Sequence, residues 1–230
     1  MTSPQGIGIA VRHVLSLAVV AGYVDALGFF DLNEIYTAAM TGNTVQLGIT
    51  FVREQWPHLA VAGATLGAFF CGGLFSSFIR RRLPHAAILL LIMAPLLLAA
   101  QVVRLDAQHP AAIELPLLAM VMAMQGQTVS RFAGVPIQTI VVTNNLLKFA
   151  DAIVGRYLSH GKRSQATSGD AARSTQADVI LPGCAWLGYT VGAASAALAS
   201  VYFSLPFIAP AALLVLTTVD LLVTRPLEDA

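Results

Sequence analysis

Long apolar segments, separated by short polar breaks, follow one another along almost the whole chain. Each is about 17 to 25 residues long, the length that an α-helix needs to cross about 30 Å of hydrocarbon. The pattern predicts eight such segments: 10–30, 35–52, 58–79, 86–104, 113–132, 137–155, 179–203 and 206–224. We therefore expect an all-α integral membrane protein, a bundle of six to eight helices in which one polytopic domain covers residues 1–230.

The composition agrees with this pattern. Hydrophobic residues make up 57% of the chain and charged residues only 11%, whereas soluble domains carry about 25% charged residues. A formal net charge of +1 argues against nucleic acid as a partner. Cys71 and Cys184 both lie within apolar segments, so we expect no disulfide framework and no metal site. The lipid bilayer is the expected surrounding, and no cofactor is expected.

One long polar stretch interrupts the apolar pattern. Residues 159–178, SHGKRSQATSGDAARSTQAD, are rich in Ser, Gly and Ala. This composition is typical of flexible linkers, so the sequence predicts a flexible loop. Its basic residues indicate the cytoplasmic side, where short loops collect Lys and Arg.

An internal repeat becomes visible when the sequence is shifted by 102 residues. Chance seldom aligns polar residues, so the two Thr-x-Asn triplets are the strongest part of the match. The repeat predicts two related halves, about 10–104 and 113–224. The pairs aligned by this shift are Phe30 and Phe132, Ile35 and Ile137, Thr37 and Thr139, Thr41 and Thr143, and Asn43 and Asn145. After the polar loop the match resumes at a larger shift, with Leu83-Pro84 aligned to Leu205-Pro206.

The distribution of basic residues bears on how the halves are oriented. If all eight segments cross, Arg80–Arg82 lies on the side opposite to the N-terminus. If segments 35–52 and 137–155 turn back instead, six crossings remain and the halves have inverted topology. Every basic cluster and both termini are then cytoplasmic, as the positive-inside rule requires. The rule favours six crossings. Eight crossings remain the alternative, because both segments are long enough to span. The clusters are Arg12, Arg80–Arg82, Arg131, Arg156–Arg173 and Arg225.

Asp25 lies within the first apolar segment, where residues 14–30 contain no other charge. A carboxylate at the bilayer centre costs from about 3 to over 10 kcal/mol, depending on the scale. One interpretation is a functional acid that binds a proton or cation and couples its movement to a solute. The other is a structural acid that is protonated or hydrogen-bonded to a neighbouring helix.

Two polar triplets, Thr41-Gly42-Asn43 and Thr143-Asn144-Asn145, lie in the two segments that the charge rule singles out. Where helical hydrogen bonds are interrupted, free backbone groups can coordinate ions or polar solutes. Close helix packing, with the polar side chains bonding across helices, is the structural alternative. We predict that a pathway is lined by Asp25, Thr41, Gly42, Asn43, Thr44, Gln125, Gln127, Thr143, Asn144 and Asn145.

Small residues recur on the third and seventh segments. Spacing of four places them on one face of each helix, which favours close packing between helices. We expect both ridges to be structural. The residues are Gly63, Gly67, Cys71, Gly72 and Gly73 on the third segment, and Gly183, Cys184, Gly188, Gly192 and Ala196 on the seventh.

Four motifs carry a resemblance to a known family. They are Gly22-Tyr23-Val24-Asp25-Ala26, Met40-Thr41-Gly42-Asn43-Thr44-Val45, Met124-Gln125 and Val142-Thr143-Asn144. With them the chain resembles the YoaK-like family of bacterial inner-membrane proteins, which carry domain of unknown function 1275. The family often has Asn after the glutamine and Gly after the threonine, where Gly126 and Asn144 stand here. The resemblance implies a polytopic inner-membrane protein and supplies no substrate.

These features together favour a transporter or channel for a small polar solute or ion, acting alone or as a homo-oligomer. The alternative is a membrane scaffold or regulatory protein that transports nothing and whose polar interior only joins helices. We do not expect an enzyme, because the sequence contains no H-E-x-x-H, no G-x-S-x-G and no paired acids at helical spacing inside a segment.

Overall fold

The computed structural model describes residues 4–31, 34–82, 88–105, 110–128, 131–158 and 175–224. Within these residues the chain forms eight α-helices, one for each apolar segment, so the expected all-α bundle is confirmed. A π-helical turn, Val154–Leu158, follows the sixth helix. The helices are α1 Pro4–Asp31, α2 Met40–Val52, α3 Trp56–Arg80, α4 Ile88–Leu105, α5 Pro110–Thr128, α6 Val142–Ile153, α7 Gln176–Tyr202 and α8 Ile208–Thr224.

Two of the predicted segments are helical over only part of their length. α2 has 13 residues and α6 has 12, and residues 35–39 and 137–141 ahead of them are not helical. At about 1.5 Å per residue, each helix is about 20 Å long, which is less than the thickness of the hydrocarbon core. The apolar character of the two non-helical stretches comes from residues that fill the core, since Ile35 and Ile137 are both fully buried.

The fifth predicted segment differs from the structure at its end. The sequence prediction extended it to residue 132, whereas α5 ends at Thr128. Two short strands follow, β1 Arg131–Phe132 and β2 Val135–Pro136, paired antiparallel. Ala133 and Gly134 between them have φ values of 47° and 80°. A two-residue hairpin turn with positive φ at both positions matches the twist of the strands, so residues 131–136 form a hairpin where a helix was predicted.

The predicted loop 159–178 is described only at its end, and residues 159–174 lie outside the described residues. Thr175 and Asp178 form a capping box at the start of α7: the Thr175 side chain accepts from the Asp178 N–H, and the Asp178 carboxylate accepts from the Thr175 N–H at 2.7 Å. This reciprocal cap satisfies two backbone donors, so α7 begins inside the predicted loop.

Helices α1 and α7 pack along most of their length and run parallel. Gly188 of α7 lies against the Leu15 carbonyl of α1, and Gly192, one turn later, lies against the Tyr23 amide. Residue numbers rise together on both helices, which defines a parallel pair. Glycine at a spacing of four lets two backbones approach closely, so the predicted ridge on α7 is confirmed.

Helices α3 and α5 also run parallel. Gly72 lies against the Met120 backbone, and Arg80, two turns later, donates to the Gln127 carbonyl at 3.2 Å. The predicted ridge on α3 is used only in part. A Cβ added to Gly63, Gly67 or Gly73 would meet no atom within 4 Å.

Helix α8 runs antiparallel to α1. Near the end of α8, Asp220 pairs with Arg12 at 2.7 Å and with His13 at 2.8 Å. Near its start, the Pro206 carbonyl accepts a hydrogen bond from Tyr23, farther along α1. The two contacts therefore pair opposite ends of the helices.

The end of α4 lies beside the starts of α5 and α8. Arg104 pairs with the fully buried Glu114 of α5 at 3.2 Å. The side-chain amide of Gln101 binds the backbone just before α8. Its Oε1 accepts from the Phe207 N–H at 3.0 Å, and its Nε2 donates to the Ser204 carbonyl at 3.4 Å. Helix α4 is therefore antiparallel to both neighbours.

Much of the bundle surface is apolar. In the described part of the chain, α1, α3, α4 and α7 are long and apolar enough to cross a membrane, and α8 is a shorter apolar helix. Large exposed hydrophobic side chains on α3 include Phe70, Leu74 and Phe78, each more than half exposed. Lipid can cover such a surface, whereas water cannot cover it without a large free-energy cost.

Candidate functional site

Asp25 is buried in the bundle at 3% exposure and accepts four hydrogen bonds. Its Oδ1 accepts from the Thr37 N–H at 2.7 Å, the Thr37 hydroxyl at 3.2 Å and the Ala38 N–H at 2.7 Å. Its Oδ2 accepts from the Tyr189 hydroxyl of α7. One carboxyl group thus joins α1, α7 and the non-helical stretch that precedes α2.

These hydrogen bonds fix the stretch of residues 34–39 against α1. Backbone N–H groups that lack a partner away from water cost several kcal/mol each, and the Asp25 carboxyl satisfies two of them. The residue therefore has a clear structural role. No Lys, Arg or His within the described ranges forms an ion pair with it.

A cavity of about 230 Å³ adjoins Asp25. The acid forms part of its wall together with Tyr189, Tyr36 and two phenylalanines of α1. The cavity opens beside Phe30, whose side chain is 67% exposed. Asp25 is therefore buried but not sealed away from open space.

Asn43 on α2 does not point into this cavity. Its side chain turns back on the preceding stretch: Oδ1 accepts from the Tyr36 N–H at 2.9 Å, and Nδ2 donates to the Tyr36 carbonyl at 2.6 Å. Gly42 packs on the Tyr36 ring, where a Cβ would lie 2.9 Å from the nearest ring carbon. Both residues therefore hold Tyr36 in position at the cavity wall.

Gln125 on α5 occupies a comparable place in the second half. Its Nε2 donates to the Thr139 hydroxyl at 3.0 Å and to the Leu17 carbonyl of α1 at 2.7 Å. Asn145 donates to the Gln138 carbonyl at 2.7 Å. The Gln125 Oε1 and Asn145 Oδ1 atoms are buried without a hydrogen-bond partner among the described residues.

The other predicted pathway residues lie nearer to the bundle surface. Thr41 and Thr44 are exposed on α2, and Thr143 is exposed on α6. Asn144 and Gln127 are half-buried. Thr44 donates to the carbonyl one turn earlier at 2.9 Å. The structure thus brings Asp25 close to the Tyr36 region that Asn43 holds, whereas the threonines of the triplets face outward.

Sequence reasoning did not select Tyr36, Tyr189, Thr37 or Thr139 as site residues. Thr37 and Thr139 belong to the pairs that the shift of 102 residues aligns, so their polar character at equivalent positions was a usable signal. Tyr189 lies in an otherwise apolar helix, and a buried Tyr hydroxyl usually has a hydrogen-bond partner. The sequence offers no signal that this partner is Asp25, 164 positions away.

The site has no features of a metal centre in the part of the chain that the structure describes, where no group of three or more His, Cys, Asp or Glu side chains could hold an ion. The charged pairs Arg12–Asp220 and Arg104–Glu114 lie toward opposite ends of the bundle and join pairs of helices.

Comparisons with known proteins agree with this architecture. The family described as "Protein of unknown function (DUF1275)" matches residues 13–219. The "UPF0700 transmembrane protein YoaK" of Bacillus subtilis (strain 168) is 26% identical over 196 residues, which cover 80% of each chain. No solved structure matches. With its long apolar helices and a transmembrane relative, the molecule described here is an all-α membrane protein.

Proposed function

The chain belongs to the DUF1275 family of proteins of unknown function, and we propose from its architecture that it is a transporter or channel for a small polar solute or ion. The proposal includes six crossings, two related halves of inverted topology, and two short helices, α2 and α6, that enter the membrane and turn back. The observation that carries it is the pair of non-helical stretches ahead of these helices, each held by a buried polar side chain.

Two pairs of equivalent hydrogen bonds support related halves. Asn43 donates to the Tyr36 carbonyl, and Asn145, 102 positions later, donates to the Gln138 carbonyl. Both bonds reach back seven residues, and both acceptors differ by the same shift of 102. Unrelated helix starts can also contain such a hydrogen bond. A duplication, however, places both the donor and the acceptor of the second bond 102 residues after those of the first, as is seen here.

The second pair spans twelve residues. Gln46 donates to the Glu34 carbonyl at 2.9 Å, and Lys148 donates to the Pro136 carbonyl at 2.6 Å. The side chains differ in type, yet donor and acceptor again shift by 102. Conserved geometry with changed chemistry is expected when two copies of a fold have diverged.

Burial along α2 and α6 supports the same relation. From residue 40 to residue 52, every position except 51 is buried, half-buried or exposed in the same way as the position 102 residues later. The buried positions are Asn43 and Thr50 in α2, and Asn145 and Ala152 in α6. Two helices with the same buried face have the same orientation relative to their own half.

Helix directions support inverted topology. α7 is parallel to α1, α8 is antiparallel to α1, and α4 is antiparallel to α8. α5 is antiparallel to α4, and α3 is parallel to α5. It follows that α1 and α3 run in opposite directions, so the chain between them leaves and returns at one end of the bundle. The same reasoning applies to α6 between α5 and α7.

Charge supports the orientation in an inner membrane. With the directions above, Arg12, Arg80–Arg82, Arg131 and Arg156 fall at one end of the bundle. Arg53 and Arg104 are at the other end, near Glu54 and Glu114. Short cytoplasmic loops collect Lys and Arg, so we assign the first end, and with it both termini, to the cytoplasm.

The start of each short helix carries partial positive charge, and in α2 the Met40 and Gly42 N–H groups donate to the Ala38 and Ala39 carbonyls, each at 2.9 Å. The first backbone N–H groups of a helix have no partner within it and carry partial positive charge. In discontinuous transporter helices such ends lie near the membrane midplane beside the substrate. Just ahead of α2 the Asp25 carboxyl accepts from the Thr37 and Ala38 N–H groups, so the acid rather than these N–H groups lines the cavity. Asp25 and Gln125 lie beside the stretches that lead into α2 and α6, and the buried Gln125 Oε1 atom has no partner among the described residues.

Thiol labelling tests this proposal in a variant whose native thiols are removed by Cys71→Ala and Cys184→Ala. Thr41→Cys should react with a small charged thiol reagent from outside the cell, and Thr143→Cys should react from the cytoplasm. Thiols react as thiolates, which form only where water reaches them. Phe70→Cys, on the exposed apolar face of α3, is the control and should stay unreactive because lipid covers it.

A non-transporting scaffold is the second candidate, and one observation favours it: the polar atoms of Asp25 and Asn43 are already bonded within the chain. If these residues only join helices, water does not reach the short helices. Thr41→Cys and Thr143→Cys would then be as unreactive as Phe70→Cys, which would contradict the transport proposal.

A further inference from the structure

Four of the nine residues that line the cavity beside Asp25 are aromatic. Phe29 and Tyr36 stack with ring centroids 4.5 Å apart, and Phe30 and Tyr189 complete the set. Apart from Asp25, the other lining residues are small, namely one glycine and three alanines of α1 and α7. Aromatic faces carry partial negative charge and attract cations within about 6 Å of the ring centroid.

The carboxylate of Asp25 adds negative charge to that of the aromatic faces at this cavity. Asp25 forms part of the wall and has no cationic partner among the described residues. A buried charge is normally paired or neutralised, because leaving it alone in a medium of low dielectric constant costs several kcal/mol. A bound cation would supply the missing charge.

The hydrogen bonds of Asp25 restrict which cation this is. Its Oδ1 accepts three hydrogen bonds and its Oδ2 accepts one from Tyr189. A metal ion needs oxygen ligands that are free to coordinate it, and a primary ammonium needs free acceptors for three donors. A quaternary ammonium needs neither, since it makes no N–H hydrogen bonds and responds only to charge and aromatic faces.

We propose that this cavity binds a small organic cation of the quaternary ammonium class, seated against the Phe30 and Tyr189 side chains next to the Asp25 carboxylate. The inference rests on the proposed function, because it names the class of solute that the transporter or channel carries. The cavity volume of about 230 Å³ admits a headgroup with a short polar arm, and the opening beside Phe30 gives access.

Binding to the full-length protein in lipid nanodiscs tests the site without assuming transport. Choline is the probe, and 3,3-dimethylbutan-1-ol, in which carbon replaces the charged nitrogen, is the neutral probe of equal shape. We expect saturable binding of choline and at least about tenfold weaker binding of the neutral alcohol, as cation–π and carboxylate attraction require. Equal binding of the two probes, or no saturable binding of choline, would overturn the proposal.

Variants assign the binding to named groups. Asp25→Asn can keep the geometry, with Oδ1 accepting from the Thr37 and Ala38 amides and Nδ2 donating to the Tyr189 oxygen, but it removes the charge. Choline affinity should fall about tenfold or more. Phe30→Leu removes a ring of the cavity wall without removing a hydrogen-bond partner of Asp25, and it should weaken choline binding by about tenfold. Unchanged affinity in both Asp25→Asn and Phe30→Leu would place choline elsewhere and contradict the assignment.

Uptake of labelled choline into proteoliposomes separates this inference from the proposed function. Specific binding without uptake would support the cation site and contradict transport. Uptake of another polar solute, together with no choline binding, would support transport and overturn the cation site.

Discussion

Replacing Asp25 with leucine should destabilise the protein by about 3 to 9 kcal/mol, since each of three buried donors that loses its acceptor costs about 1 to 3 kcal/mol. The Thr37 and Ala38 amides and the Tyr189 hydroxyl would all lose their partner. Because these donors belong to α7 and to the stretch before α2, the variant should fail to assemble both elements on α1.

The measurement is the temperature at which half of the detergent-solubilised protein stays monodisperse, with accumulation in the membrane recorded beside it. Asp25→Asn is the matched control. It offers one oxygen to the two amides and an amide group to Tyr189, so its midpoint should stay close to that of the unchanged protein. A leucine variant as stable as the asparagine variant would contradict the structural role of Asp25.

The second large effect is expected at Gly192. A Cβ there would overlap the Val19 carbonyl and lie 2.9 Å from the Tyr23 amide nitrogen. Backbone atoms cannot move aside as a flexible side chain can, so Gly192→Ala should push α7 away from α1. Overpacking costs about 1 to 3 kcal/mol in well-packed interiors. Because this substitution separates two helix backbones, we expect a loss of about 3 kcal/mol or more in the free energy of unfolding.

Gly67→Ala is the matched control for this substitution. Gly67 also lies within a long apolar helix, but an added Cβ would meet no atom within 4 Å. Alanine is the better helix former by about 1 kcal/mol, so this variant should be as stable as the unchanged protein or more stable. The same detergent assay compares the two variants. Equal losses, or a larger loss for Gly67→Ala, would contradict the packing described for α1 and α7.

The sequence predicted the fold well because one physical signal dominates it. Apolar segments long enough to cross a bilayer predict helices, and each of the eight segments contains one. The starts of α2 and α6 could not be predicted, because residues 35–39 and 137–141 are as apolar as their helical neighbours. They fill the core without being helical, and hydropathy does not distinguish these two uses of an apolar side chain. After α5 only Phe132 and Val135 of the hairpin are buried, and Gly134 and Pro136 were usable turn signals.

The candidate site was predicted only in outline. Asp25 drew attention because charge in an apolar segment is costly, and it does lie at a cavity. Asn43 was expected to line a pathway, yet it bonds to the Tyr36 backbone. Polarity marks a residue as special but does not give the direction of its side chain. The contact between Asp25 and Tyr189 depends on how α1 packs on α7, which no local pattern encodes.

The glycine ridges show the same limit. Both ridges have the spacing that favours close packing, yet Gly192 on α7 is tightly packed and Gly67 on α3 faces open space. Spacing indicates that a face can accept a neighbour, whereas only the tertiary arrangement decides whether one is there. The open face on α3 is available to lipid or to a second copy of the chain, and the possible homo-oligomer remains a prediction.

The central claim is that α2 enters the membrane and returns to the side from which it came. In the variant without native cysteines, Gln55→Cys and Arg82→Cys are labelled in intact and in permeabilised cells with a reagent that cannot cross membranes. Gln55→Cys should react in intact cells, and Arg82→Cys should react only after permeabilisation. Labelling of Arg82→Cys from outside, with Gln55→Cys protected, would mean that α2 crosses completely, and the inverted six-helix arrangement would be wrong.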